Sequence, residues 1–452
     1  MEDTEMEEPH IEEVYLEEDG MQEDGMQEDG MQEDGMQEDD MQENDVPKIA
    51  KISKMIEADD IGVGDRRPLT CGVEMEFLVP SIPNESSDPD RGLEERVIVS
   101  RANVPHLILN CDVRYQLLRD LKRQLCHLNF RHVVDDYFHP PYEEVVVYDA
   151  WRLGDDLSVT KRDVNGHSVY RDQYDWTACE LTSPVMEATE FEAEIQAVCT
   201  VLNGIRIHLN KSTSVHVHIG LGNEPFTLRM VKMFATLYWF TEEAIMSLQH
   251  PSRWRNKHCF LLTRYSHLAL KDIDWLDDIT GPLDDEGLAL MHEWVPNVDA
   301  YSTHAQLCRI WGARDFKTIA TLMAGAQDQV SPRKVFAERG AVGFRRFYPV
   351  EDLGGNLQTF EFRQMAGSMD GEHICHWVKF CLEFTSFCRY AQEHEYKGFI
   401  EKILTKGRDF TGLDLLREFH VDTKIFETKM EKWAANPNFC DKNTGKELFV
   451  KN

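Results

Sequence analysis

A chain of 452 residues with 42% hydrophobic, 29% charged and 10% aromatic side chains has the make-up of a globular protein, which excludes collagen-like, coiled-coil and wholly disordered architectures. Its formal net charge of -33 is concentrated at one end: residues 1–47 carry 21 Asp and Glu and no Lys or Arg, leaving 60 acidic against 48 basic residues in the remainder. No basic run is long enough to track a phosphate backbone, so nucleic acid is not an expected partner.

In chain order, residues 21–45 come early and read as five tandem pentapeptides, MQEDG to MQEND. A period of five matches neither helix nor strand and leaves no face to bury, so residues 1–65 read as a disordered acidic tail. It serves as a solvating segment more readily than as an acidic interaction arm. The eleven cysteines are odd in number and form no CxxC pair, which argues for reduced thiols against a disulfide framework or a zinc ribbon. The acidic N-terminus is unlike a presequence and no run of 18 apolar residues exists, so a soluble cytoplasmic or nuclear protein without a membrane partner is expected.

Residues 66–395 pattern continuously and read as one catalytic-sized domain. Four stretches have strand character, being β-branched, aromatic or alternating in polarity: Thr70 to Val79, Glu144 to Leu153, Ser214 to Gly222 and Leu357 to Arg363. Helical patterns lie between and after them, at Phe191 to Leu202, Thr227 to Leu248, Phe316 to Ala324 and Gly371 to Gln392. In the last, Ile374, Trp377, Val378, Cys381, Phe384 and Cys388 form one apolar stripe, which reads as core. Residues 396–452 read as a small helical extension. Long helical insertions between strands, without a Gly-rich phosphate loop, predict an α+β fold with an antiparallel sheet.

Three strands carry polar pairs at i and i+2, which puts each pair on one face. In Gly72-Val73-Glu74-Met75-Glu76-Phe77, Glu74 and Glu76 stand side by side, either as a solvated polar edge or as a pair that a divalent cation makes favourable. In Ser214-Val215-His216-Val217-His218, two histidines share a face, either as satisfied core groups or as contacts to metal or phosphate. In Thr359-Phe360-Glu361-Phe362-Arg363, the acid and the base pair with each other or divide between a metal and an anion. Glu180, in Cys179-Glu180-Leu181-Thr182-Ser183-Pro184, is a fourth acid that says little by itself. Together these pairs describe a sheet with a charged concave face, frustrated unless it binds cations and anions together; Mg²⁺ with nucleotide phosphates meets that need.

With these motifs in place, the chain resembles a known family. GVEMEFLVP, the Trp151-x4-Asp156-x-Ser158 run, ELTSP at 180–184, SVHVHIG at 214–220, HPSRWRN at 250–256 and TFEFRQ at 359–364 are together similar to the fungal amidoligases of the carboxylate-amine ligase superfamily, related to glutamine synthetase and glutamate-cysteine ligase. The resemblance spans roughly residues 68–395. It implies a glutamine synthetase-like antiparallel sheet curved into a half-barrel, helices on its outer face, and ATP with Mg²⁺ against its inner one. The expected reaction is ATP-dependent amide or isopeptide formation through an acyl phosphate, on amino acid, peptide or protein substrates. Carried over by motif, Glu74, Glu76, Glu180 and Glu361 are metal ligands, His216 and His218 catalytic groups, and Arg363 both a catalytic group and a nucleotide contact; Arg253 and Asn256 are expected at nucleotide or substrate. Two departures bear on the substrate pocket: Met365 where a His commonly follows, and the Gly343-Phe344-Arg345-Arg346 stretch, which lacks an expected Asn. The competing readings are an inactive relative that binds nucleotide or a protein partner, and a two-histidine metallohydrolase or oxygenase.

Overall fold

The computed structural model describes residues 68–435 except 89–90, 93–94, 102–105, 133–147, 157, 161–173, 255, 257, 271–279, 281–282, 299–300, 326–339 and 349–357. The expected tail and the last residues of the C-terminal extension lie outside this set. All described residues fall within one compact unit, Met55–Asn452.

Nine strands form one large, mostly antiparallel open sheet. They are β1 (Thr70–Pro83), β2 (Val99–Arg101), β3 (Phe130–His132), β4 (Trp151–Gly154), β5 (Asp175–Thr182), β6 (Met186–Glu187), β7 (Ser214–Gly220), β8 (Val342–Gly343) and β9 (Thr359–Ala366). The order along the sheet is β3-β4-β5-β1-β7-β9-β8, with β2 and β6 also paired to β1. Only β1–β2 and β3–β4 run parallel. The four expected strands are therefore recovered, that at 144–153 only in its described part, and β5 joins them as the direct neighbour of β1.

Alternation along β1 explains the sheet's two faces. Val73, Met75, Phe77 and Val79 are fully buried on one side, together with Cys179 and Leu181 of β5, Val215, Val217 and Ile219 of β7, and Phe360 and Phe362 of β9. This face is covered by α2 (Phe191–Asn203), α3 (Leu228–Ser247) and α7 (Gly371–Tyr390). Phe234 of α3 stacks on Phe360 at 3.7 Å and meets Phe362 edge-on at 5.7 Å, and Trp377 of α7 closes on Phe362 at 6.3 Å. Each such buried large side chain contributes about 1.5–3 kcal/mol, so the central strands are held flat against the helices by their odd-numbered β1 residues and their partners. Helix starts obey the usual chemistry: Thr227 caps α3 through Met230 N at 3.2 Å and Asp370 caps α7 through His373 N at 3.3 Å.

Besides a single helical turn at Leu262–Tyr265, the remaining α-helices among the described residues are α1 (His106–Gln124), α4 (Asp285–Trp294), α5 (Tyr301–Gly312), α6 (Phe316–Met323), α8 (Glu393–Lys406), α9 (Gly412–Glu418) and α10 (Lys424–Ala435). The last three lie mainly in the C-terminal extension, and Tyr396, Ile400, Leu415, Leu416 and Phe426, all fully buried, join the same core as the sheet. Polar ties reinforce this: the Tyr396 hydroxyl donates to Met233 O at 2.6 Å, and buried Lys429 pairs with the α7 cap Asp370 at 2.6 Å. Gly412 sits so close to α3 that a Cβ there would meet Ala244 O at 2.4 Å and Leu248 Cγ at 2.5 Å. Gly412→Ala is expected to cost about 1–3 kcal/mol by overpacking, read as a lower midpoint in thermal or urea unfolding.

Candidate active site

The register places the polar pairs beside one another across four strands. Glu76 of β1 faces Glu180 of β5, Glu74 faces Thr182 on one side and His216 on the other, and His218 faces Glu361 of β9. None of these pairings is local in sequence; they arise because β1 is flanked by β5 and β7, and β7 by β9. The even-numbered residues of β1 thus form, with their neighbours, one charged patch on the face opposite the helices.

Contacts within the patch are short. Glu74 reaches His216 Nδ1 at 3.1 Å with one oxygen and His218 Nε2 at 3.2 Å with the other. Glu361 lies 3.5 Å from His216 Nδ1 and forms an ion pair with Arg363. Ser214 donates to Glu76 at 2.6 Å and stands 2.8 Å from His216 Nε2, which is 3.4 Å from an Arg363 nitrogen. Arg363 reaches the patch by ordinary alternation, two residues after Glu361, and Gln364 turns inward like Phe362 to donate to Tyr238 at 3.0 Å. The ladder is irregular here: Val215 pairs Met365 while Val217 pairs Phe362, so β9 carries one residue more than β7 between these points. Such a bulge re-aims side chains, and it sends Met365 into the core. The methionine departure noted in the sequence therefore falls on the apolar side, away from the carboxylates.

Burial and charge split the acids into two kinds. Burial alone would raise the Glu74 carboxyl, but His218 and His216 hold it well below the usual range. Glu361 is likewise raised by burial and brought below normal by Arg363 and His218. Glu76 is pushed up to about 8 by burial and by Asp156, and Glu180 is raised by burial, Glu74 and Asp156. His216 is lowered by burial and Arg363, whereas Glu74 overcomes burial to raise His218. Without cations, burial and the neighbouring acids favour the protonated forms of Glu76 and Glu180.

Two donor sets follow. Ligand atoms of Glu74, His216 and Glu361 lie within 4.8 Å of one another, and so do those of Glu76, Asp156 and Glu180. Octahedral Mg²⁺ or Mn²⁺ holds opposed oxygens about 4 Å apart, so both sets fit a hard divalent cation with small movements. Five carboxylates and one imidazole exclude a soft-metal preference. Gly343, opposite Glu361, is required by this packing: a Cβ there would stand 2.9 Å from a Glu361 carboxylate oxygen. Gly343→Ala is expected to displace that carboxylate and weaken Mg²⁺ or Mn²⁺ binding about 10-fold, as measured by calorimetric titration.

The four acids, both histidines and Arg363 thus converge. Arg253 comes close without joining: it is 1% exposed and donates to the Arg363 carbonyl at 2.6 Å, beneath the strand that presents the Arg363 side chain. Asn256 directs its amide to Lys211 O at 2.9 Å and its carbonyl to His258 N at 2.8 Å, shaping the turn after Arg253. Asp156 was visible as part of the Trp151–Ser158 motif but carried no role there; the turn after β4 brings it over Glu76 and Glu180. Ser214 was visible as the residue leading the His pair, two before His216.

Beside the patch a cleft of about 60 Å³ is lined by Gly72, Glu74, Tyr148, Pro184, His218 and Arg346 among others. Tyr148 carried no functional signal in the sequence, and Arg346 appeared there only within the Gly343–Arg346 departure, without a role of its own. Among the described residues no helix is long and apolar enough to cross a membrane.

Residues 67–274 match the family described as "Putative amidoligase enzyme". The matched stretch contains Glu74, Glu76, Asp156, Glu180, His216 and His218 and ends before Glu361 and Arg363. No curated protein and no solved structure gave a match.

Proposed function

We propose that this protein is an ATP-dependent carboxylate-amine ligase that forms an amide or isopeptide bond through an acyl phosphate, with the sheet's charged face as its active site. The observation that carries the reading is the pair of cation sets standing side by side with Arg363. Phosphoryl transfer asks a protein mainly for positioning and charge neutralisation, and no nucleophilic side chain is needed. The family match supports a ligase, and the geometry of the patch supports the nucleotide and metal chemistry.

In this reading Glu74, His216 and Glu361 hold one Mg²⁺ and Glu76, Asp156 and Glu180 hold the other. The ions supply charge neutralisation at the polyphosphate when bound. Arg363, anchored by Glu361 and by the Arg253 contact to its own backbone, would supply a fixed guanidinium to the transferred phosphoryl group. His218 adds positive charge at the edge of the patch. His216 would give one ring nitrogen to the first of these cations, while its Nε2 meets Ser214, whose hydroxyl in turn donates to Glu76, so the imidazole positions a ligand of each set. Buried Glu76 and Glu180 release their protons when the cations bind.

The test is phosphate release by the full chain with Mg-ATP across a pool of amino acids and short peptides. Amine-stimulated release that Glu76→Ala abolishes supports the ligase. Mg-ATP binding without release under any amine would replace it with the inactive nucleotide-binding reading, and absence of Mg-ATP binding would remove both.

A further inference from the structure

We infer that the cleft beside the patch seats the carboxylate of a small organic acid or amino-acid substrate, and that Arg346, steadied by Tyr148, is the cation that holds it. The inference deepens the ligase reading, on which it rests, by naming a substrate group and its subsite.

Four arginines around the sheet are already committed. Arg363 pairs with Glu361, Arg253 with a backbone carbonyl, Arg114 with Asp155 at 3.3 Å and Arg206 with Asp88 at 2.6 Å. Arg346 is different. Its one hydrogen bond among the described residues is from Nη2 to the Tyr148 hydroxyl at 3.0 Å, and no described carboxylate pairs with it. It lines the cleft together with Tyr148, Glu74 and His218, so a guanidinium without an anion stands next to the metal-binding carboxylates. A fixed fork of donors in such a place matches a planar carboxylate.

Shape and charge choose the ligand class. The Arg346 fork, facing an open cleft, offers paired N–H donors that a planar carboxylate accepts side by side. A phosphate would bring more negative charge than a carboxylate beside the Glu74 carboxyl group that lines the same cleft. Pro184 and Val185 supply an apolar wall for an aliphatic stem, and Gly72 and Gly220 keep the sheet floor free of side chains. Arg346 sits in the short turn Arg345–Phe347, just after β8, so it is carried by the same segment that places Gly343 against Glu361.

The experiment uses the full chain without nucleotide or metal and measures binding of butyrate by saturation-transfer NMR, with butyramide as neutral isostere and inorganic phosphate as competing anion. Butyrate is expected to bind in the millimolar range, butyramide not to bind, and phosphate not to displace butyrate. Arg346→Gln is expected to weaken butyrate at least 10-fold, Tyr148→Phe about 3-fold, and Arg346→Lys to fall between wild type and Arg346→Gln, with circular dichroism unchanged in each. No butyrate binding to the wild type, equal binding to Arg346→Gln, or displacement by phosphate would each overturn the assignment. Because no turnover is read, a failed ligase assay and a failed subsite give separate results.

Discussion

Arg363→Ala is expected to lower amine-dependent turnover by 10³-fold or more, while leaving the protein folded. An arginine aimed at a transferred phosphoryl contributes about 10³–10⁵ in rate, equivalent to about 4–7 kcal/mol of transition-state stabilisation. The structure gives a specific reason for the upper part of this range. Arg363 is held from three sides, by the Glu361 ion pair, by its own amide donating to Ala341 O at 2.9 Å, and by Arg253 on its carbonyl. Its charge is therefore placed before reaction instead of being ordered during it. Lysine at this position keeps the charge without the fork, so Arg363→Lys is expected to recover only a small fraction of the activity. The measurement is kcat and KM for ATP in each variant. A loss confined to KM, with kcat kept, would make Arg363 a binding group and remove it from the transfer step.

The second large effect concerns stability and pH in protein stripped of divalent cations. Glu76 has a folded pKa of about 8 against 4.5 for the ordinary carboxyl, so between those values the folded state binds more protons than the unfolded one. Its contribution to stability is fully present below the unfolded value and is lost as pH rises through about 8. Glu180 shifts in the same direction. Glu74 and Glu361 shift in the opposite direction, and their contribution is lost as pH falls. Metal-free protein is accordingly expected to be most stable in mildly acidic solution and to lose about 2–3 kcal/mol between pH 6 and 8.5 through Glu76 alone. Mg²⁺ should reverse the trend, because cations favour the deprotonated acids. Urea titrations at pH 6 and 8.5, with EDTA or with Mg²⁺, check both signs. In Glu76→Gln the alkaline loss should be much smaller, and a loss equal to that of the wild type would place its origin elsewhere.

What the sequence made legible was the part governed by a period of two. Val73, Met75 and Phe77 against Glu74 and Glu76, and the same alternation at His216 and His218, declare two strands and their faces from residue order alone. Strand β5 was harder to see, because Thr177 and Ala178 thin out the apolar contrast around Cys179 and Leu181. Residues in turns were illegible for a different reason. Which way Asp156 or Arg346 points is decided by chain segments far away in sequence, and a turn has no periodicity that would betray it. Arg253 illustrates a further limit: its motif placed it at nucleotide or substrate, yet it is buried beneath β9 with the Arg363 backbone carbonyl as its partner. The amphipathic stripes of the C-terminal helices were visible, but not that their apolar side would close the same core as the sheet.

The placement of β9 also has a bearing on when the site comes into being. The chain delivers Glu74 and Glu76 near the start of the described sheet, whereas Glu361 and Arg363 arrive on its last strand, next to β7. Pairings of such high sequence separation form late, since loop closure must precede the contacts that offset it. A nascent chain that has emerged only as far as β7 therefore presents acids and histidines without the arginine that balances them. Synthesis past β9 adds Glu361 and Arg363 together, so the charged face is completed in one step, ahead of the C-terminal helices that close the core behind it.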